Sequence, residues 1–286
     1  MTWQLRFWGV RGSIPCPGPG TARYGGNTAC LAIEGPEGAP LVLDAGTGAR
    51  ALGLDLEARR ADEVNVLLSH THWDHIQGLP FFAPLYRRGG VVRLRGPARR
   101  PGDLRQVLEA QMAPAVFPVP PSALEAQVEV EEVEEGWSEI AGWMVRGMRL
   151  CHPGVTFGYR LERQGLAGSL AYLTDNELTG QAHGAAPQWR ADLVHFLRGV
   201  STLVHDAMYA EDQLPSRAGW GHSSPRQAVA LAAEAGCRRL VLFHHNPDHD
   251  DTALDALLET TRAEASRVAA GLTVEAAIEG ETLTLE

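Results

Sequence analysis

Short apolar runs broken by glycine, proline and aspartate recur along the whole chain and read as strands. In order they are LRFWG, CLAIEG, PLVLDAG, VNVLLSH, VVRLRGP, AQVEVEEV, WMVRGMRLCH, FGYRLER, SLAYLTD, STLVHDA, RLVLFHH and LTVEAAIEG. Helical patterns fall at 47–59, 102–112, 189–198, 224–235 and 252–269. The fourth has the clearest ends: Ser224 suits the N-cap, Pro225 the first helical position, and Gly236 the stop. Strands come first and are then mixed with helices, so the pattern predicts an α/β (α+β) fold of two sheets with helices outside. No period repeats, and 286 residues allow one large domain, 1–286. The proline-rich APAVFPVPPSALEAQ lies inside a connection and reads as part of a surface insertion around 84–140.

Polar residues at the strand ends change this picture. After the strand VNVLL the chain reads SHTHWDH, placing His70, His72, Asp74 and His75 at the mouth of a buried strand. His152, His205 and His244 follow other strand-like runs, and Asp175 closes SLAYLTD. Ligands drawn from many strand ends toward one edge are how a rigid scaffold builds a multidentate metal site. An extended HTHWDH loop would turn His70 and His72 to one side and Asp74 and His75 toward a neighbouring point, enough for two metals. Imidazole and carboxylate suit Zn²⁺, with Mn²⁺ and Fe²⁺ as alternatives. One stray histidine would read as a solvated turn; this spacing does not.

Composition removes several functions. The formal net charge is −10 and all 25 cations are arginine, which argues against a general affinity for nucleic-acid backbones. The arginines of YRRGGVVRLRGPARRPGDLR could form a phosphate- or RNA-binding edge, or a solvated strand paired with VEVEEVEE. No apolar run reaches ~18 residues, so no membrane partner is expected, and the N-terminus lacks a signal-peptide pattern, which predicts a cytoplasmic protein. Cys16, Cys30, Cys151 and Cys237 form no C-x-x-C pair and read as reduced thiols. A homodimer is left open.

The order H-x-H-x-D-H, later His, later Asp, final His resembles the metallo-β-lactamase superfamily over nearly the whole chain. LVHDAMY followed by GWGHSSPRQAVALAAEAG is similar to paired segments of ribonuclease Z, in the phosphodiesterase branch. The resemblance implies a four-layer αβ/βα sandwich with two divalent ions at the edge between two mixed sheets. It implies His70, His72 and His152 on the first metal, Asp74, His75 and His244 on the second, Asp175 bridging, and a hydroxide between the ions. His245 competes with His244, and Asp206 with Asp175. Asp206 stands where the relatives carry glutamate, and with His222 it would form an acid pair, so the catalytic candidates are Asp74, His222 and Asp206.

The chemistry fits a small phosphodiester, such as a cyclic one, with RNA less favoured because little chain separates His152 from Asp175. A lactone or thioester hydrolase of the same fold is the enzymatic alternative, and a non-catalytic metal-binding or signalling module the other. Gly25, Gly26 and Asn27 are expected in a wall of the cleft, with Arg11 or Arg23 meeting a phosphate. Asp44 is expected to support a ligand histidine.

Overall fold

The computed structural model describes residues 2–100, 102–179 and 183–285. Its elements are β1 (Trp3–Gly9), β2 (Cys30–Glu34), β3 (Leu41–Leu43), α1 (Ala49–Ala58), β4 (Glu63–Leu67), α2 (Trp73–Ile76), β5 (Val91–Gly96), α3 (Asp103–Ala110), β6 (Gln127–Glu132) and β7 (Gly136–Ile140). They continue through β8 (Trp143–Arg149), β9 (Phe157–Glu162), β10 (Leu170–Leu173), α4 (Trp189–Leu197), β11 (Thr202–Asp206), α5 (Pro225–Ala235), β12 (Arg239–Phe243), α6 (Asp251–Val268), β13 (Thr273–Ala276) and β14 (Thr282–Leu285).

One sheet runs β14-β1-β2-β3-β4-β5-β6 and the other β13-β12-β11-β10-β9-β8-β7. Leu5, Phe7, Leu31 and Leu43 of the first meet Trp143, Tyr159, Tyr172 and Phe243 of the second, forming the layer between them. The outer face of the first sheet is covered by Leu52 and Leu56 of α1 and Leu104 and Leu108 of α3. That of the second is covered by α4, α5 and α6 through Leu193, Ala228, Leu231 and Leu254. Helices on both outer faces of two packed sheets make the four layers expected from the resemblance, and strands covered on both faces explain why their runs are apolar throughout.

Residues 84–140, expected as a surface insertion, supply β5, α3, β6 and β7, so much of the segment completes the two sheets. Val92 and Leu94 of β5 point into the core while Arg93 and Arg95 face the other way. There they ion-pair with Glu129 and Glu131 of β6, at 2.6 Å each, and Arg87 pairs with Asp62 at 3.0 Å. Much of the arginine run is thus neutralised inside the fold, as the pairing with VEVEEVEE anticipated.

β3, β4, β5 and β6 are parallel, as are β10, β11, β12 and β13. Parallel strands send all their carboxyl ends to one edge, which is where open α/β sheets place ligands.

Candidate metal centre

The backbone at that edge is bent in a repeated way. Asp44 just after β3, Asp175 beyond β10 and His244 just after β12 have φ of 59°, 51° and 59°. A left-handed conformation costs a non-glycine residue roughly 1–2 kcal/mol, so three at one edge mark a place where side-chain direction outweighs backbone comfort. The HTHWDH stretch departs from the extended loop expected of it. His72 is an extended N-cap, and Trp73–Ile76 form one turn of helix, α2. Asp74 and His75 therefore leave the chain in a different direction from His70 and His72.

The result is two ligand clusters that share Asp175, namely His70, His72, His152 and Asp175, and Asp74, His75, Asp175 and His244, while a third group, Asp206, His222 and His244, overlaps the second through His244. Asp175 Oδ2 lies 3.8 Å from His70 Nε2 and 3.6 Å from His152 Nε2. Its Oδ1 lies 3.1 Å from both His75 Nε2 and His244 Nε2. One carboxylate oxygen thus faces each cluster, the disposition of a bridge. Asp74 Oδ2 is 3.3 Å from His75 Nε2 and 3.2 Å from His244 Nε2. Ligands about 2.0–2.2 Å from a common ion stand roughly 3–3.5 Å apart, so these separations are close to the edges of coordination polyhedra.

Three further observations test whether cations fit. His70 Nε2 and His75 Nε2 are buried with no hydrogen-bond partner, as ligand atoms kept for an ion would be. Asp44, Asp74, Asp175 and Asp206 are all nearly inaccessible, and no arginine pairs with them among the described residues. That much negative charge needs positive charge beside it. Finally, the ring tautomers are held correctly. Asp44 Oδ2 accepts from the Ser69 hydroxyl (2.7 Å), His75 Nδ1 (2.8 Å) and the Tyr172 hydroxyl (2.6 Å), and Ser69 Oγ lies 3.0 Å from His70 Nδ1. His152 Nδ1 donates to the Gly221 carbonyl at 3.0 Å. In each case Nδ1 is occupied; Nε2 of His70 and His75 is left for a metal, and that of His152 faces His72 Nδ1 at 2.9 Å.

Burial depresses the His70 pKa well below its usual value and takes His152 down to about 4, so both are neutral, the ligating form. Burial would raise the Asp175 carboxyl, but the neighbouring imidazoles, His244 and His75 foremost, hold it well below the usual range. Burial would lower His75, yet Asp74, Asp175 and Asp44 lift it, so in the metal-free site a proton stands where a cation would compete for the same carboxylates.

His222 stacks on His244, centroids 5.1 Å apart, and its Nδ1 donates to Asp206 Oδ2 at 2.7 Å. Burial alone would lower its pKa, but the Asp206 charge and hydrogen bond raise it to about 9. The shorter aspartate therefore reaches the imidazole, because Asp206 ends β11 directly behind it. Its other oxygen accepts the Ser223 N–H at 2.7 Å. Ser224 then caps α5 in a reciprocal box with Gln227, so the cap legible in the sequence also fixes His222 two residues earlier.

Other expectations are corrected. His205 lies within β11 on the opposite face from Asp206, donates from Nδ1 to the Asp206 carbonyl at 2.7 Å, and does not join the clusters. His245 faces away, bonding the Ala277 carbonyl through Nε2 at 2.9 Å, whereas His244 enters the second cluster. Arg11 is fully buried and donates to the carbonyls of Gly25, Asn246 and His249, and Arg23 is paired with Asp255, so neither awaits a phosphate. Asn27 is tied to Glu279.

The glycine-rich start nevertheless touches the site. The Ser13 N–H donates to Asp74 Oδ2 at 2.7 Å, and a Cβ on Gly12 would fall 2.3 Å from the His244 ring. Neither contact carries a sequence signal beyond the glycine itself. Gly12→Ala is expected to push His244 aside and weaken binding of one of two ions by roughly 10–100-fold, the scale on which mis-oriented ligands act. Competition against a chromogenic chelator measures it; two ions held as tightly as in the wild type would show that His244 is not a ligand.

A family model described as "Beta-lactamase superfamily domain" matches residues 41–245, well over half of the chain. The chain is 27% identical to Ribonuclease BN of Escherichia coli O6:K15:H31 (strain 536 / UPEC), over 69% of its own length and 75% of that protein. It is 22% identical to Ribonuclease Z of Haloarcula marismortui, over 92% of each. Among solved structures, the metallo-beta-lactamase fold protein YhfI from Bacillus subtilis superposes with a TM-score of 0.71 at 17% identity, covering 99% of this chain and 100% of that one. Together with the two ligand clusters, these likenesses identify the chain as a member of the beta-lactamase superfamily, in its metallo-β-lactamase-fold, ribonuclease Z-like branch of metal-dependent hydrolases.

Proposed function

We propose that the protein hydrolyses a small phosphodiester. The observation that carries this reading is the Asp206–His222 pair beside the two clusters: a hydrogen-bonded imidazole, 2.7 Å from its carboxylate, whose Nε2 has no hydrogen-bond partner among the described residues. A phosphodiester with an alkoxide leaving group needs such a donor. Two bound cations would supply acidified water and positive charge against the phosphoryl oxygens. The chain's own groups do the rest. Asp175 and Asp74 fix the clusters, Asp44 and Ser69 orient His70 and His75, and His222 gives its proton to the leaving oxygen while Asp206 keeps the ring aligned. Zn²⁺ is the favoured ion, since the donors are imidazole and carboxylate.

The curated relatives are named ribonucleases, which supports a phosphodiester over a carbonyl substrate. A small substrate is favoured over RNA because the net charge is −10 and Arg87, Arg93 and Arg95 are already paired within the fold. Exposed Trp73 and Trp220, flanking the ligand loops, offer apolar surface to a compact organic group instead.

Metal-loaded protein is expected to release nitrophenolate from bis(p-nitrophenyl) phosphate, to lose this activity with a chelator, and to regain it with Zn²⁺ or Mn²⁺. Faster turnover of lactone or thioester substrates than of any phosphodiester would sink the proposal.

A further inference from the structure

A general acid must sit on the leaving side of the phosphorus, so the space adjoining His222 away from the ligands receives the leaving group. That space is a cavity of about 510 Å³ with His222, Thr179, Gln227, Leu214 and Arg217 in its walls. Its carboxylate is already engaged: Glu177 accepts from the N–H groups of Gly219 (2.8 Å) and Gly221 (3.1 Å) and from the Thr179 hydroxyl (2.9 Å). Glu177 thereby pins the loop that carries His222. Its arginine is not neutralised. The Arg217 guanidinium lies 4.7 Å from the Trp220 ring centroid and 5.8 Å from that of Tyr209, and among the described residues it forms no ion pair. A guanidinium laid on aromatic rings is preorganised, keeps its charge at every working pH, and presents a planar fork of donors to an anion.

We propose that this cavity is the leaving-group subsite and that Arg217 selects phosphodiesters whose leaving alcohol or phenol carries a second anionic group, a carboxylate or a phosphate. The inference rests on the phosphodiesterase reading, with His222 marking the leaving side. It also gives a use to an arginine that forms no ion pair among the described residues although the chain carries a net charge of −10. One phosphoryl group would meet the metal centre while a separate anion meets Arg217, a combination that a neutral diester does not satisfy.

The test uses three phenyl aryl phosphates whose leaving phenol bears at the meta position a carboxylate, a phosphonate, or the methyl ester of the carboxylate. Release of the substituted phenol by metal-loaded wild type is expected to favour at least one anionic ester over the neutral one by about tenfold or more in kcat/KM, as a charge-assisted bond should. Whichever anion is preferred, carboxylate or phosphonate, identifies the natural one. Arg217→Ala should reduce the ratio to about one, Arg217→Lys should retain part of it, and Arg217→Glu should invert it. Comparing ratios between variants cancels the intrinsic reactivity of the esters, and metal content and melting temperature verify the fold. Equal kcat/KM on all three esters in the wild type, or a preference that survives Arg217→Ala, overturns the subsite and leaves the phosphodiesterase reading standing. No turnover of any ester overturns both.

Discussion

Replacing Asp175 by alanine is expected to lower bound metal from about two ions per chain to one or fewer, with turnover falling by at least ~10³-fold. Disturbing a group that merely orients a ligand costs ~10–100-fold, and Asp175 contributes one oxygen to each cluster, so its loss should exceed that range. Four imidazoles, His70, His75, His152 and His244, also lose the acceptor they converge on. Elemental analysis and kcat measured on the same preparation read both effects, and Asp175→Asn, which keeps the shape and one carbonyl oxygen, should fall between. Near-full metal content with near-wild-type rates would move the bridge to Asp206, a further buried carboxylate 3.5 Å from His244 Nδ1.

How much of this was readable in the sequence depended on whether a residue's role is local. Strands bounded by turn residues were legible because apolar runs and their stops are local signals. β7, GWSEI, and β14, TLTL, were missed: both are short edge strands, mostly exposed, with no apolar run to announce them. α2 was missed because four residues show no helical period. The candidate ligands were visible because histidine and aspartate crowd strand ends. Their supports were only partly so. Asp44 showed as an acid beside a glycine turn, but Ser69, Gly12 and the Gly221 carbonyl act through contacts across the fold and look ordinary in one dimension. Glu177, two residues after Asp175 in TDNE, did offer a signal, a second carboxylate at the same strand end. Arg11 misled for a physical reason. An arginine beside glycines is usually solvated, and only the folded chain places three carbonyls around this one.

His222→Ala should leave two ions bound and yet lower hydrolysis of a phosphodiester with an alkoxide leaving group by ~10²–10⁴-fold, the usual worth of a positioned acid. Its ring meets His152 and His244 by stacking and edge contact, and the seven residues of the two clusters joined by Asp175 do not include it, although it also forms a group with Asp206 and His244, which is why bound metal is measured alongside turnover. Nitrophenolate departs without a proton, so the same variant should lose far less on a nitrophenyl ester. The pH dependence has a definite sign. His222 donates in its protonated form, so alkoxide turnover should fall as pH rises through its pKa, about 9 without cations and lower beside them, and this limb should be missing in the variant. Asp206→Asn should show the same leaving-group dependence more weakly, because the amide keeps the Ser223 contact but loses the charge that lifts the imidazole. An equal loss on both leaving groups, or a drop in bound metal, would make His222 a packing residue or a ligand and remove proton donation from the mechanism.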